Sequence, residues 1–156
     1  MTIIKDITKN QYFSTFIIGD PPVTFSLLLD LGNLYSWAAC DDLDYKSTTF
    51  GPIPCGSTKC SAYGGSGCVG CNAKPSSSCT NNTCGADPYT PWSDAFYSSG
   101  LIHDKIFLYT HSKNSSKVLQ YPMSGFPFAC VGKGPLKGML PNAKGILTLA
   151  NVNIAL

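Results

Sequence analysis

Eight cysteines, Cys40, Cys55, Cys60, Cys68, Cys71, Cys79, Cys84 and Cys130, constrain this chain more than any other feature, and six of them fall within residues 55–84. An even count in a stretch rich in Gly, Ser and Pro reads as a disulfide framework, which forms in an oxidising compartment. The rival is a four-thiolate zinc site, since Cys68-Val69-Gly70-Cys71 is a C-x2-C flanked by wider pairs at Cys55/Cys60 and Cys79/Cys84. No second C-x2-C follows at ribbon spacing, and both histidines, His103 and His111, lie outside the cluster. The expectation is therefore disulfides and no metal. Eight cysteines can pair in about a hundred ways, and spacing alone leaves the pairing open.

The rest of the composition points the same way. The 156 residues suit one compact domain of ordinary size. With 44% hydrophobic and 13% charged residues, the chain has enough apolar material for a core. All eleven cations are Lys and all nine anions are Asp, so two strong helix formers, Arg and Glu, are missing. Fifteen Gly and eleven Pro break helices further. An all-β fold follows. A net charge of +2 without Arg provides neither the basic footprint nor the bidentate base readers of a nucleic-acid protein. No apolar run approaches the ~18 residues of a membrane helix. The opening, Met1 to Asp6, lacks the sustained apolar core of a leader. Two sequons, Asn81-Asn82-Thr83 and Asn114-Ser115-Ser116, mark Asn81 and Asn114 as glycosylation candidates and agree with the cysteines. The expected setting is extracellular, with the signal peptide outside this sequence.

Along the chain, residues 12–19 and 23–29 read as a hairpin joined by the turn Gly19-Asp20-Pro21-Pro22, with a further strand over 34–39. Residues 41–94 form a long irregular stretch that disulfides would have to hold. Strand character returns over 93–109, as two short strands around Pro122 and Pro127, and over 145–150. There is no internal repeat and no linker. Both histidines read as surface strand residues, Trp37 as core, and Trp92 as loop cover.

Asp30 is the residue most able to do chemistry. It follows three leucines at the end of a strand and precedes Gly32. Spacing permits two roles, a turn Asp that accepts from local backbone N–H groups, or a carboxylate placed for catalysis.

The motif Tyr12-x3-Phe16-x-Ile18-Gly19-x-Pro21, followed by Leu29-Asp30-Leu31-Gly32 and Trp37, resembles the opening of the pepsin-like aspartic peptidases. Gly145-Ile146-Leu147-x-Leu149-Ala150 is similar to the segment that crosses near their catalytic turn. Trp37-Ala38-Ala39-Cys40-Asp41, the cluster ending Asn81-Asn82-Thr83-Cys84, and Phe126-Pro127-Phe128-Ala129-Cys130 narrow the likeness to plant xylanase inhibitors, extracellular dermal glycoproteins and basic seed globulins. The resemblance implies a pepsin-like acid-protease double-psi barrel, disulfide-rich and mainly β. Residues 12–156 would be its N-terminal lobe, residues 1–11 an extension, and the C-terminal lobe would lie outside the sequence. It implies a bridge between Cys40 and Cys130, the other six cysteines pairing among themselves. It makes Asp30 the vestige of a catalytic Asp in the turn Leu31-Gly32-Asn33, Tyr89 the flap residue, and Trp37 and Gly145 structural.

The departures from the family carry the functional expectation. Leu31 stands where the peptidases have Thr, and Asn33 where they have Ser. Asp87-Pro88-Tyr89-Thr90-Pro91-Trp92 is a stiffer flap, and Thr148 replaces a small Gly. Aspartic peptidases need two carboxylates that share a proton across a water. Asp30 has no second Asp-x-Gly turn to match it. The resemblance thus implies a secreted, non-catalytic defence protein without cofactor. Its expected partners are a glycoside hydrolase such as a xylanase, or another protein, together with its own C-terminal lobe. The alternatives are a truncated lobe of an active endopeptidase and a seed-storage or peptide-binding globulin.

Overall fold

The structure, a computed structural model, describes residues 2–111, 118–132 and 134–150. Its elements in chain order are β1 (Ile4–Asp6), β2 (Gln11–Ile18), β3 (Val23–Asp30), β4 (Trp37–Ala39), β5 (Gly51–Pro52), α1 (Thr58–Ala62), β6 (Cys68–Val69), β7 (Thr83–Ala86), β8 (Tyr89–Thr90), β9 (Ala95–Phe96), β10 (Ser99–His111), β11 (Val118–Val131) and β12 (Gly145–Thr148). The fold is all-β. One short α-helix, α1, is capped by the Ser57 hydroxyl, which accepts from the Cys60 N–H.

The large sheet runs β1-β2-β3-β12-β4-β11-β10-β7-β6, and β10 returns to pair with β2. That return closes β2, β3, β12, β4, β11 and β10 into a barrel, which leaves none of these strands as a free edge along the closure. Two of its pairings are parallel. Ile146, Leu147 and Thr148 of β12 stand opposite Leu28, Leu29 and Asp30 of β3, and Ala129 to Val131 of β11 stand opposite Trp37 to Ala39 of β4. Parallel pairs are shielded on both faces, and all four residues of β12 are buried, as are the three of β4.

Two clusters fill the interior. One gathers Trp37, Ile53, Leu101, Ala129 and Ile146, and the other Phe16, Phe25, Tyr45, Ile106, Phe128 and Leu147. Phe25, Tyr45 and Phe128 meet edge to face, with ring centroids 5.3 to 6.4 Å apart. Such pairs contribute about 0.5–1.5 kcal/mol beyond their burial. Tyr45 also anchors the loop after β4. Its hydroxyl donates to the buried Asp104 carboxylate, which accepts as well from Thr49 Oγ1 and the Lys105 N–H. Burial, then the hydrogen bond to Asp104 and its charge, push the Tyr45 phenol well above its ordinary range.

All eight cysteines are oxidised. Cys40 joins Cys130 across the barrel, the pair that the resemblance implied, and Cys55–Cys68, Cys60–Cys84 and Cys71–Cys79 close within the cluster. The irregular stretch 41–94 is thereby held as α1, short strands and turns.

Several local expectations change. Residues 4–6 are a strand of the sheet and not an extension, with Ile4 opposite Phe13 and the Ser14 hydroxyl donating to the Thr2 carbonyl. Three residues are too few to show alternation in the sequence. The two short strands expected around the prolines are one strand of 14 residues. Pro122 and Pro127 lie outside the stretch that pairs with β4, so each needs to satisfy only the β10 side. A register shift between Asp104 and Ile106 sits opposite Gly125, whose φ of 79° suits a bulge. Strand β4 begins only at Trp37, because the segment before it is spent on the turn after Asp30. His103 is half-buried against Gly51, where a Cβ would touch its ring, and so is not a surface residue. The His111 side chain and Asn114 lie outside the described residues.

Candidate functional site

Strand β3 buries Leu27 and Leu28 and then ends at Asp30, whose side chain folds back over the following turn. Oδ1 of Asp30 accepts from the N–H groups of Gly32 at 2.5 Å and Asn33 at 2.8 Å. Oδ2 accepts from Asn33 Nδ2 at 2.9 Å. Three donors from the next three residues thus hold the carboxylate in one orientation.

The turn is fixed from behind by β12. The Thr148 hydroxyl donates to the Asn33 carbonyl at 2.6 Å, the Thr148 N–H to the Ser36 hydroxyl at 3.0 Å, and the Leu149 N–H to the Asp30 carbonyl at 2.7 Å. Trp37 enters through β4, where it stands opposite Ile146. Gly145 passes so near the Trp37 carbonyl oxygen that any Cβ there would collide with it. Asp30, Trp37 and Gly145, far apart in the chain, are therefore brought together around one strand.

A cavity of about 220 Å³ opens beside Asp30. Leu28, Leu29 and Ile146 form its floor, Gln11 and Tyr12 one wall, and Pro91 and Trp92 the opposite wall. Asp30 is the one charged residue in that lining. Gln11 Oε1 is buried without a hydrogen-bond partner. Trp92 comes from the turn between β8 and β9, its indole N–H donates to the Pro135 carbonyl at 3.4 Å, and its ring rests on Gly138.

Tyr89 is placed differently from its expected role. Its ring packs on Phe96 at 5.0 Å, and its hydroxyl donates to Asp94 at 2.8 Å, a bond that raises its pKa. It is not among the residues lining the cavity, where the same hairpin presents Pro91 and Trp92. Trp92 and Gln11 are lining residues that sequence reasoning missed. The one available signal was the proximity of Trp92 to Tyr89 in a hairpin. Leu31, at the tip of the turn, is 78% exposed and touches none of this machinery.

Among the described residues, no group of His, Cys, Asp and Glu is arranged to hold a metal. What the site offers is a rigidly held carboxylate beside an aromatic-walled cavity. One carboxylate cannot supply the base and the acid that proton-shared hydrolysis needs.

Residues 12–156 match the family described as xylanase inhibitor N-terminal. The chain belongs to that family. Its members' relatedness extends to Probable aspartic proteinase GIP2 of Nicotiana benthamiana, 34% identical over all of this chain and 35% of that protein. Gamma conglutin 1 of Lupinus albus is 28% identical, again over the whole of this chain and 35% of its own length. Among solved structures, that of edgp superposes with a TM-score of 0.87 at 28% identity, covering 98% of this chain and 37% of that one. Conglutin gamma from lupine seeds gives 0.88 at 26% identity, covering 99% and 40%. The chain thus spans about a third of the length of the curated relatives it matches. The xylanase-inhibitor family accounts for the disulfide-rich all-β barrel. Its relatives include seed globulins and aspartic-proteinase-like proteins, so membership alone fixes no activity.

Proposed function

We propose that this chain is the N-terminal lobe of a secreted, non-catalytic member of the family, which binds and blocks a secreted glycoside hydrolase of the xylanase type. The observation that carries the reading is the wall over Asp30. Trp92, pinned between the Pro135 carbonyl and Gly138, occupies the side of the cavity from which a peptide would have to approach the carboxylate. The exposed Leu31 adds to it, since an apolar side chain at the tip of the turn supplies no hydroxyl to a facing lobe. The disulfide framework supports the secretory setting.

A second reading, an active aspartic endopeptidase of which this is one lobe, draws on the name of the Nicotiana relative. The test is digestion of a denatured protein at acid pH by the full-length parent, with and without pepstatin, followed by a xylanase inhibition assay. Inhibition without pepstatin-sensitive cleavage is the expected result. Pepstatin-sensitive cleavage would mean that Asp30 has an acid partner, and would sink the proposal.

A further inference from the structure

The sequon Asn81-Asn82-Thr83 lies in the turn between Cys79 and Cys84, and the fold treats its two ends differently. Asn81 is exposed. Its Oδ1 accepts from the Cys71 N–H at 2.8 Å, while its Nδ2 has no hydrogen bond among the described residues. A sugar on Nδ2 would leave that Oδ1 contact intact, so the folded protein tolerates the modification. Thr83, whose hydroxyl a sequon-reading transferase must engage, is completely buried. Its Oγ1 is held to Thr80 Oγ1 at 2.9 Å and to the Asn81 carbonyl at 3.1 Å. Its Cγ2 is roofed by the backbone of β10 at Gly100, where an added Cβ would approach it to 2.9 Å. The neighbouring Cys84 fixes this arrangement by its bridge to Cys60, and Val69 of β6 pairs with Thr83.

We infer that Asn81 carries an N-linked oligosaccharide, and that it is attached while Thr83 is still uncovered, before Cys60 joins Cys84 and β10 closes over the turn. In that step the Asn81 Nδ2 attacks the anomeric carbon of an oligosaccharide carried on a lipid pyrophosphate. The N–C bond forms, the bond from that carbon to the pyrophosphate oxygen breaks, the lipid pyrophosphate leaves with the electron pair, and the amide loses one proton to a base of the transferase. Disulfide closure and glycosylation thus compete for the same turn. The inference rests on the secretory reading for its setting, but its chemistry depends only on the two states of the turn.

The test presents the chain, with Asn114→Gln so that one sequon remains, to purified oligosaccharyltransferase and its lipid-linked donor. One sample is reduced and unfolded, and the other is oxidised, with all thiols shown to be consumed. The reduced chain is expected to gain a glycan that Asn81→Gln abolishes, and the oxidised chain to gain severalfold less. A reduced chain left bare at Asn81 overturns the inference, and so does equal modification of both samples. Because the purified enzyme removes any dependence on where the protein resides, a failed secretory reading would leave this result standing.

Discussion

Thr148 lies opposite Asp30 in the parallel β3–β12 pair, and its hydroxyl donates to the Asn33 carbonyl 115 residues away in the chain. The same residue's N–H is taken by Ser36. One side chain of β12 thus ties together the turn that orients the Asp30 carboxylate. A small Gly here would leave Asn33, itself buried, without that donor.

Thr148→Val keeps the shape and removes the hydroxyl. It should cost about 1–3 kcal/mol, the penalty of an unsatisfied buried acceptor. Urea unfolding of the oxidised chain measures it, and a loss within error of zero would show that the turn is held by its local donors alone.

Gly145→Ala should be worse. The added Cβ meets backbone, the carbonyl of Trp37, and cannot be relieved by a rotamer change. A loss of about 3 kcal/mol or more is expected, at the upper end of overpacking costs. Full solubility and an unchanged unfolding midpoint would contradict the close approach.

The bridges differ in the loops they close. Cys40–Cys130 spans 90 residues and Cys71–Cys79 spans 8. On the chain-entropy account, removing the first by paired Cys→Ala changes costs about 4–5 kcal/mol, and removing the second about 2–3 kcal/mol. Equal losses in chemical denaturation would place the effect in native packing instead.

Tyr45 gives a pH signature. Its folded pKa is raised, first by burial and then by Asp104, whereas in the unfolded chain the phenol titrates near its ordinary value of about 10. The native state therefore holds a proton that the unfolded state releases. The contribution is fully present below pH ~10 and falls as pH rises above it. Unfolding free energies should decline at alkaline pH, and Tyr45→Phe should flatten that decline. The same change should cost about 1–3 kcal/mol at neutral pH by leaving the Asp104 carboxylate short of a donor.

Leu31→Thr with Asn33→Ser restores the peptidase-like turn. Leu31 is exposed, so its replacement should alter stability by no more than about 0.5 kcal/mol. No pepstatin-sensitive cleavage should appear in the 156-residue chain, because Asp30 still has no acid partner at the cavity. Activity in this variant would show that a second copy can supply one.

What the sequence disclosed was set by how local each signal is. The β2–β3 hairpin could be read because apolar alternation and the turn at Gly19 are short-range, and the all-β class because Arg and Glu are absent. Strand β1 and the small strands between Gly51 and Phe96 could not, since two or three residues carry no period and are held by bridges and neighbours. Asp30 was legible as a placed carboxylate. The wall formed by Trp92 was not, because it depends on contacts to Pro135 and Gly138 that lie over forty residues downstream.

The position of β12 has a consequence for synthesis. It is wedged between β3, parallel, and β4, antiparallel, so the barrel lacks an inner stave until nearly the whole chain has been made. On the ribosome, the cysteine cluster can close its short loops early, while Asp30 and Trp37 wait for a strand still inside the exit tunnel. Contacts of such span are slow to form. The growing chain therefore passes through a stage with a finished cluster and an open barrel, the stage at which chaperones and modifying enzymes meet it.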